Sequence, residues 1–350
     1  MDISFCIPVY NCGNYLESCF DSIIRAIHIG KCTAEIIAVD DCSNDNSFQV
    51  LQRIQDDNPD VGIILLRNEI NKGVSFSRNR AMEQAKGKYL WFVDADDMIV
   101  PDALSIMLSV ANDNGLSWVV GNYKKVDAEQ KAPVFYGKKS YKVIHNDHDF
   151  IENYAVDENG DICNGASCGI YNREFLQRFK ITFDERLSYC EDIMFNFDIT
   201  LYVDKIAKLD YSVYNYRFNP TSTTKQQSSS HRQYQVQRFL DLYYVLDEYL
   251  SEGRYNPPWK CNNRETLLIK QIQVKQSIVR VLAEVDDSKY VKQELCKLKQ
   301  SRLYPYPFQT GLLENRSFNI KKLVLFLLPI EPVFWMLHLS FKLARVFRGK

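Results

Sequence analysis

Short apolar runs alternate with segments of helical periodicity over about the first 125 residues. The pattern predicts strands at residues 3–9, 35–40, 62–66, 89–94 and 118–123, with helices between them at 15–29, 47–58, 75–86 and 101–114. Such alternation is typical of an α/β fold, in which a mostly parallel sheet carries helices on both faces. The sequence has no G-x-G-x-x-G after the first strand and no Walker loop, which disfavours the ordinary dinucleotide-binding and P-loop folds.

Three carboxylates follow the fourth predicted strand in Asp94-Ala95-Asp96-Asp97, which we call the acid motif. Open α/β sheets bind ligands at the carboxyl ends of their strands, and clustered carboxylates repel one another unless a cation lies between them. A hard divalent ion would satisfy such a cluster. An acidic turn is the alternative, because Asp side chains also favour Asx turns and helix caps. Three carboxylates in four positions favour a metal or nucleotide site over a plain turn.

The cysteines and the N-terminal residues indicate a cytoplasmic protein. Ten cysteines occur without a C-x-x-C pair or a histidine at zinc-ligand spacing, a pattern typical of reduced thiols. The first strand begins directly after Met1-Asp2, without the basic segment and cleavage site of a signal peptide.

Positive charge is concentrated towards the C-terminal end of the sequence. Residues 251–350 hold 18 Lys or Arg against 8 Asp or Glu, although the net charge of the chain is −1. The 19 residues between Lys322 and Lys342 carry one charge, Glu331, and two prolines. Prolines in the middle of the segment disfavour a membrane-spanning helix. A basic amphipathic helix in the membrane interface is the preferred interpretation of residues 323–350, and a helix packed on the body of the protein is the alternative.

The middle of the chain contains a polar, turn-rich segment followed by segments of helical periodicity. Residues 126–160 are polar and turn-rich, which predicts a hairpin or flap, and residues 166–175 suggest a strand followed by a helix start. Helical spacing returns at 231–250 and 264–282. The predicted organisation is an α/β catalytic domain at residues 1–218, a helical extension at 219–322 and an apolar, basic tail at 323–350.

Six short motifs, taken in order, resemble those of the family 2 glycosyltransferases. They are Ile7-Pro8-Val9-Tyr10-Asn11, Val39-Asp40-Asp41-Cys42-Ser43-Asn44-Asp45-Asn46-Ser47, Asn71-Lys72-Gly73 with Ser77-Arg78-Asn79, Gly87-Lys88-Tyr89, Asp94-Ala95-Asp96-Asp97 and Glu191-Asp192. The resemblance covers about residues 1–220 and implies the GT-A fold, a Rossmann-like, mostly parallel sheet flanked by helices, here with a C-terminal helical extension. Cys42 departs from the pattern, because the family usually has Gly after the Asp pair.

The resemblance implies a nucleotide-sugar donor and a divalent cation, Mn²⁺ or Mg²⁺. It assigns the metal chiefly to Asp96, with Asp94 near both the ribose and the metal and Asp97 in support. A cation there would stabilise the diphosphate, whose negative charge grows as the glycosidic bond breaks. The residues implied in nucleotide-sugar binding are Pro8, Val9, Tyr10, Asp41, Arg78, Asp94 and Ala95. For Arg78, a solvent-exposed helix arginine is an equal alternative.

The Glu191-Asp192 pair supplies the catalytic candidates. An acceptor hydroxyl is a poor nucleophile until a base takes its proton, and the resemblance assigns that base to Asp192, with Glu191 beside it. A base opposite the leaving group implies inversion at the anomeric carbon. Helix capping is the alternative interpretation, because acidic residues are favoured in a first turn. Arg217 resembles a family position near the diphosphate.

The predicted function is therefore an inverting glycosyltransferase, with UDP as the expected nucleotide. A membrane-associated tail suggests a lipid-linked glycan acceptor, in bacterial surface-polysaccharide biosynthesis (O-antigen, capsule or lipopolysaccharide) at the cytoplasmic face of the inner membrane. No nucleic-acid partner is expected. The alternatives are a non-catalytic nucleotide-sugar-binding scaffold, which Asp96 and Asp192 disfavour, and a nucleotidyltransferase, which would need a Gly-rich basic loop after the first strand.

Overall fold

The computed structural model describes residues 1–127, 129–130, 132–134, 137–146, 165–218, 229–251, 271, 274, 277–278, 281–282, 285 and 287–299. Within these residues the chain divides into two compact units, one up to residue 218 and the other from residue 229. The predicted tail at 323–350 lies outside the described residues, and the domain boundaries at 218 and 322 stay predictions.

The first unit is built on one mixed sheet. Its described strands are β1 (Ile3–Val9), β2 (Ala34–Asp40), β3 (Gly62–Arg67), β4 (Tyr89–Phe92), β5 (Met98–Ile99), β6 (Trp118–Val126), β7 (Gly137–His145), β8 (Gly169–Asn172) and β9 (Lys205–Arg217). They lie in the order β3-β2-β1-β4-β8-β6-β9-β5, and β7 pairs with β9.

Helices flank this sheet. Those of the first unit are α1 (Leu16–Gly30), α2 (Ser47–Asp57), α3 (Val74–Gln84), α4 (Ala103–Asn114), α5 (Arg173–Phe179) and α6 (Glu191–Tyr202). Helix α1 packs against α2 and α4, and α3 packs against β1 and β2. Strands β1 and β2 are buried along nearly their whole length, which explains their continuous apolar sequences.

The α/β class is confirmed, and the sheet is parallel in the half that the alternating sequence pattern specifies. Strand β1 runs parallel to both β2 and β4, and β3 runs parallel to β2. Beyond β4 the sheet is mixed, because β8 lies antiparallel between β4 and β6 while β9 is parallel to β6. Strands β1–β4 and helices α1–α4 begin and end within two residues of the predicted positions.

The second unit is helical in its described residues. Helix α7 (Ser229–Ser251) buries apolar side chains that include Val236, Leu240 and Leu246, and α8 (Ser288–Lys299) buries Val291. The helix predicted at 231–250 is therefore present.

Among the helices of the described residues, none has the length and apolar content needed to cross a bilayer.

Candidate active site

The acid motif follows β4 at the carboxyl edge of the parallel half of the sheet and is held there by β9. The backbone N–H of Asp94 donates to the Tyr214 hydroxyl at 3.1 Å, and the N–H of Asp97 donates to the Asp94 carbonyl at 3.0 Å. The N–H of Arg217 donates to Asp97 Oδ1 at 2.7 Å. Strand β9 thus fixes both ends of the turn that carries the three carboxylates.

The three carboxylates of the acid motif are close enough to influence one another. Asp97 is buried, whereas Asp94 and Asp96 are half-buried. Burial, together with the neighbouring Asp96 and Asp94 carboxylates, raises the pKa of Asp97 well above its usual range. A positive charge bound at this loop would relieve that repulsion.

Arg78 connects the acid motif to the start of α6. Its Nη2 donates to Asp94 Oδ1 at 2.6 Å, and its Nη1 donates to Glu191 Oε1 at 2.8 Å. The guanidinium also lies over the Phe183 ring, 5.1 Å from the ring centroid. Arg78 is almost fully buried, so the alternative of a solvent-exposed helix arginine is wrong. The proposed contact of Arg78 with the nucleotide stays a prediction.

Ser167 completes the anchoring of Asp94 and was not found from the sequence. Its hydroxyl donates to Asp94 Oδ2 at 3.1 Å, so both carboxylate oxygens of Asp94 accept a hydrogen bond. Ser167 lies in the 3₁₀ turn Ala166–Cys168 just before β8, far from residue 94 in sequence. No sequence pattern marks it.

Asp192 lies in the first turn of α6, directly after Glu191. It is half-buried, and its Oδ1 accepts a hydrogen bond from the Ile193 N–H at 2.7 Å. Its Oδ2 faces Gly165, where an added Cβ would lie 3.0 Å from that oxygen. Burial raises the pKa of Asp192 to about 7, with a further increase from Glu191 and an opposing effect from Arg78. The position suits a base, and the helix dipole also favours an acidic side chain in this first turn, although Cys190 is the N-cap.

A cluster of aromatic rings holds α6 against β4. Phe195 stacks on Phe183 with a centroid distance of 4.1 Å, and its ring meets Phe92 edge-on at 5.4 Å. Tyr171 contacts Phe195 in the same way at 5.3 Å. Because Phe92 ends β4 and Phe195 lies one turn after Glu191, this packing sets the distance between the acid motif and the candidate base.

Asp41 fixes a loop to the end of β2. Its Oδ1 accepts from Asn68 Nδ2 at 2.7 Å and from the Lys72 N–H at 2.9 Å, and its Oδ2 accepts from the Gly73 N–H at 2.8 Å. Gly73 has φ +89°, a conformation that disfavours a side chain. The carboxylate of Asp41 is therefore part of a buried network, and its contact with the nucleotide stays a prediction.

The other predicted nucleotide residues lie on the same edge of the sheet. Pro8 and Val9 end β1, and Tyr10 follows with an exposed ring. The side chains of Val9 and Ala95 are buried. Of these residues, the Tyr10 ring has the most surface open to a ligand.

Arg217 lies between the acid motif and α1. Its Nη2 donates to Ser18 Oγ at 2.7 Å, and its guanidinium lies over the Tyr15 ring at 5.3 Å. The side chain is buried, and its backbone N–H bonds Asp97. The structure thus places Arg217 beside the acid motif, and its contact with the diphosphate stays a prediction.

Among the described residues there is no cluster of three or more His, Cys, Asp or Glu side chains arranged to hold a metal ion. A cation at the acid motif would therefore need oxygen ligands from elsewhere, and a diphosphate can supply them.

Comparison with known proteins identifies the family. The family model described as Glycosyl transferase family 2 matches residues 4–179 of the chain. This chain belongs to glycosyl transferase family 2. The family 2 chain is 24% identical over 326 residues to the uncharacterized glycosyltransferase EpsJ of Bacillus subtilis, covering 92% of this chain and 89% of EpsJ. It is 30% identical over 215 residues to the poly(ribitol-phosphate) beta-glucosyltransferase of Bacillus spizizenii, covering 61% of this chain but only 32% of that relative.

Solved structures show the same fold. TarS 1–349 of S. aureus, in complex with UDP-GlcNAc, matches with a TM-score of 0.63 at 17% identity, covering 98% of this chain and 92% of TarS 1–349. The mannosyltransferase PcManGT of Pyrobaculum calidifontis, in complex with GDP-Man and Mn²⁺, matches with a TM-score of 0.55 at 16% identity. The match covers 86% of this chain and 81% of PcManGT. The predicted GT-A fold is confirmed, and family membership makes the chain a glycosyltransferase.

Proposed function

We propose that this enzyme transfers a sugar, with inversion, from a nucleotide-sugar donor to a glycan acceptor of a bacterial surface polysaccharide. The observation that carries the proposal is the Arg78 bridge, which joins Asp94 of the acid motif to Glu191 through two short hydrogen bonds. The donor motif and the candidate base thereby belong to one site, as transfer between two substrates requires.

The donor occupies the carboxyl ends of β1, β2 and β4. This is where an open α/β sheet presents its ligand site, and the exposed Tyr10 ring and the acid motif both lie there. Complexes of TarS with UDP-GlcNAc and of PcManGT with GDP-Man support a nucleotide sugar as the ligand. UDP is the nucleotide that we propose.

The acid motif fits a divalent cation, Mn²⁺ or Mg²⁺. Its ligands are hard carboxylate oxygens, and burial together with their mutual repulsion raises the pKa of Asp97. One or two of these carboxylates would hold the cation, and the diphosphate would supply further oxygen ligands. When bound, the ion supplies positive charge to the leaving diphosphate. We assign it to Asp96, with Asp94 beside it.

Asp192 is the proposed base, and Glu191 orients the Arg78 guanidinium next to it. A pKa of about 7 keeps a large share of Asp192 ionised at neutral pH, while its affinity for a proton remains much higher than that of an ordinary aspartate. A scaffold that only binds nucleotide would gain nothing from such a carboxylate. The family membership likewise favours an enzyme over the scaffold.

The acceptor that we propose is lipid-linked. Support for the lipid link comes from the basic, apolar segment at 323–350, which would attach the enzyme peripherally to the cytoplasmic face of the membrane. The similarity to a poly(ribitol-phosphate) beta-glucosyltransferase supports a polymeric acceptor. No nucleic acid takes part.

A donor screen tests the proposal. The enzyme is incubated with UDP-glucose, UDP-N-acetylglucosamine, UDP-galactose or GDP-mannose, each with octyl glycosides of common hexoses, with and without Mn²⁺. We expect one donor to release its nucleoside diphosphate in a Mn²⁺-dependent reaction, and proton NMR of the glycoside product to show the anomer opposite to that of the donor. Failure to consume any donor, or a product with retained configuration, would contradict the proposal.

A further inference from the structure

Two exposed tyrosines stand next to the acid motif on the side away from Asp41. Tyr123 on β6 is 39% exposed and Tyr216 on β9 is 36% exposed. In the parallel pairing of these strands, Tyr123 is opposite Tyr214 and Lys125 is opposite Tyr216. Paired residues of neighbouring strands and residues two apart along a strand share a face of the sheet, so Tyr123 and Tyr216 lie on the face that carries Tyr214.

Contacts of β9 place this face at the acid motif. Tyr214 accepts a hydrogen bond from the Asp94 N–H at 3.1 Å, and Arg217 donates its N–H to Asp97 at 2.7 Å. Tyr216 lies between these two anchoring residues. Burial raises the pKa of the Tyr216 phenol, and so do the carboxylates of the acid motif and the neighbouring Tyr123, which agrees with a position beside them.

Tyrosines that belong to the core of this sheet differ from Tyr216 in burial and in the hydrogen bonds of their hydroxyls. Tyr171 and Tyr211 are almost fully covered, and their hydroxyls donate to Asn196 Oδ1 at 2.8 Å and to Asp102 Oδ1 at 2.7 Å. Tyr216, by contrast, leaves more than a third of its surface open to solvent at the edge of the candidate active site. Packing of the core therefore does not explain why an aromatic residue occupies position 216.

We propose that Tyr123 and Tyr216 form the binding platform for the acceptor, a pyranose ring placed with its hydroxyl towards Asp192. The inference rests on the proposed function, because it needs an acceptor sugar. A pyranose has an apolar C–H face and a polar rim. A tyrosine offers an apolar ring face and a phenol that both donates and accepts, and it loses little conformational entropy on binding.

The donor is an unsuitable occupant for this platform. Apart from Arg78 on α3, the predicted nucleotide-sugar residues lie at the ends of β1, β2 and β4, whereas β8 separates β4 from β6, and β9 lies beyond β6. Arg217, the predicted diphosphate contact on β9, follows Tyr216 directly, so its side chain projects from the other face of the strand, where it donates to Ser18 of α1. Tyr123 and Tyr216 thus lie across the acid motif from Tyr10 and Asp41, on the face that the Arg217 side chain does not occupy. Two substrates that react at one motif must approach it from different sides, and this side carries two exposed tyrosines.

The test uses the purified full-length enzyme with its active nucleotide sugar and the octyl glycoside that gives the fastest transfer in the donor screen. In Tyr216→Ala and Tyr123→Ala we expect the KM for the glycoside to rise about tenfold, which corresponds to about 1.4 kcal/mol. The KM for the donor, and donor hydrolysis without acceptor, should change by less than about twofold. Tyr216→Phe keeps the ring and should retain most of the affinity for the glycoside.

Tyr141→Ala is the matched control. Tyr141 lies on β7 of the same sheet, is 45% exposed, and accepts a hydrogen bond from Asn114 Nδ2 at 3.3 Å, remote from the acid motif in the contacts that it makes. Its removal should leave the KM for the glycoside unchanged. Thermal unfolding of every variant verifies that the comparison is made between folded proteins.

Each other outcome overturns a defined claim. An unchanged KM for the glycoside in both platform variants, or an increase confined to the KM for the donor, overturns the platform. So does a wild-type enzyme that hydrolyses its donor at a rate that no octyl glycoside alters. A wild-type enzyme that consumes no donor at all contradicts the proposed function instead, so the two failures are distinguishable.

Discussion

Asp94 and Asp96, the two predicted metal contacts, are two positions apart in the acid motif. Asp94 accepts hydrogen bonds from Arg78 and Ser167 on its two oxygens. Asp96 has a half-buried carboxylate on the same loop. A carboxylate that is already paired with an arginine is a weaker cation ligand, so we propose Asp94 as a residue that shapes the site, and Asp96 stays the predicted main metal contact.

We therefore expect Asp96→Asn to abolish both transfer and Mn²⁺-dependent nucleotide binding, because an amide cannot replace the charge of a hard-metal ligand. Asp94→Asn should give a weaker loss of Mn²⁺ dependence. Calorimetric titration of UDP with and without Mn²⁺ measures the binding, and the thermal midpoint shows whether the fold persists. Full activity per folded molecule in Asp96→Asn would refute the assignment, and equal effects at the two positions would show that their roles are not divided in this way.

The pKa of Asp192 predicts the pH dependence of the reaction. Since a base must be deprotonated, kcat/KM should rise with pH and level off above a pKa of about 7. Glu191→Gln removes the neighbouring charge that raises this pKa, so the rise should move to lower pH. The exposed Glu174→Gln serves as control and should leave the profile in place. An identical profile in Glu191→Gln and wild type would mean that another group controls the rate.

The raised pKa of Asp192 also affects stability, which should fall as pH rises while the activity increases. The folded state holds the proton of Asp192 more tightly than the unfolded chain, so this group's stabilising effect is complete below its ordinary pKa of 3.8 and is lost as pH rises through about 7. Asp192→Asn should remove that part of the pH dependence of unfolding.

At the scale of elements, an aromatic cluster packs α6, which carries Asp192, against β4, which leads into the acid motif. Phe195 is almost fully buried and contacts Phe183, Phe92 and Tyr171. Phe195→Ala should lower the free energy of unfolding by about 3–5 kcal/mol through lost burial and a cavity. Urea denaturation measures it, with the exposed Ile70→Ala as control at under about 0.5 kcal/mol. A loss below 1 kcal/mol would show that the cluster does not hold α6.

Much of this architecture is visible in the sequence, for a physical reason. The strands and helices up to α4 follow regular apolar periods, so each boundary is a local property of the chain. Strand β9 was not predicted, because residues 211–215 are buried on both faces and include Ser212 and Asn215, which hides the alternation of an ordinary strand. The antiparallel insertion of β8 is equally hidden, since strand order depends on packing between distant segments.

Some features of the candidate site are likewise recognisable in the sequence, and others are not. The acid motif and the Glu191-Asp192 pair are recognisable as short motifs. The Arg78 bridge is not, because it joins residues that are 16 and 113 positions from Arg78 in sequence. Cys42 is an instructive departure: its φ of +60° is the left-handed conformation that glycine adopts most easily, which explains why glycine suits that position.

At the scale of the whole molecule, the tail is predicted to decide where the enzyme works. Deleting residues 323–350 should move the protein from the membrane fraction to the supernatant while transfer to an octyl glycoside persists, because the motifs all lie upstream. Release of the full-length protein at high salt would report the electrostatic share of the binding. A deletion variant that aggregates or unfolds would favour the alternative of a helix packed on the body of the protein.

Donor binding and proton transfer are assigned to different residues, so a substitution at Asp192 can test them separately. Asp192→Asn keeps the size and polarity of the side chain but removes its capacity to accept a proton, while the proposed donor contacts at Asp96, Arg78 and Tyr10 remain. Calorimetric titration of UDP with Mn²⁺, beside steady-state transfer, measures both properties in one variant. We expect unchanged nucleotide affinity and a turnover lower by about 10²-fold or more. Retained turnover in Asp192→Asn would rule out Asp192 as the base.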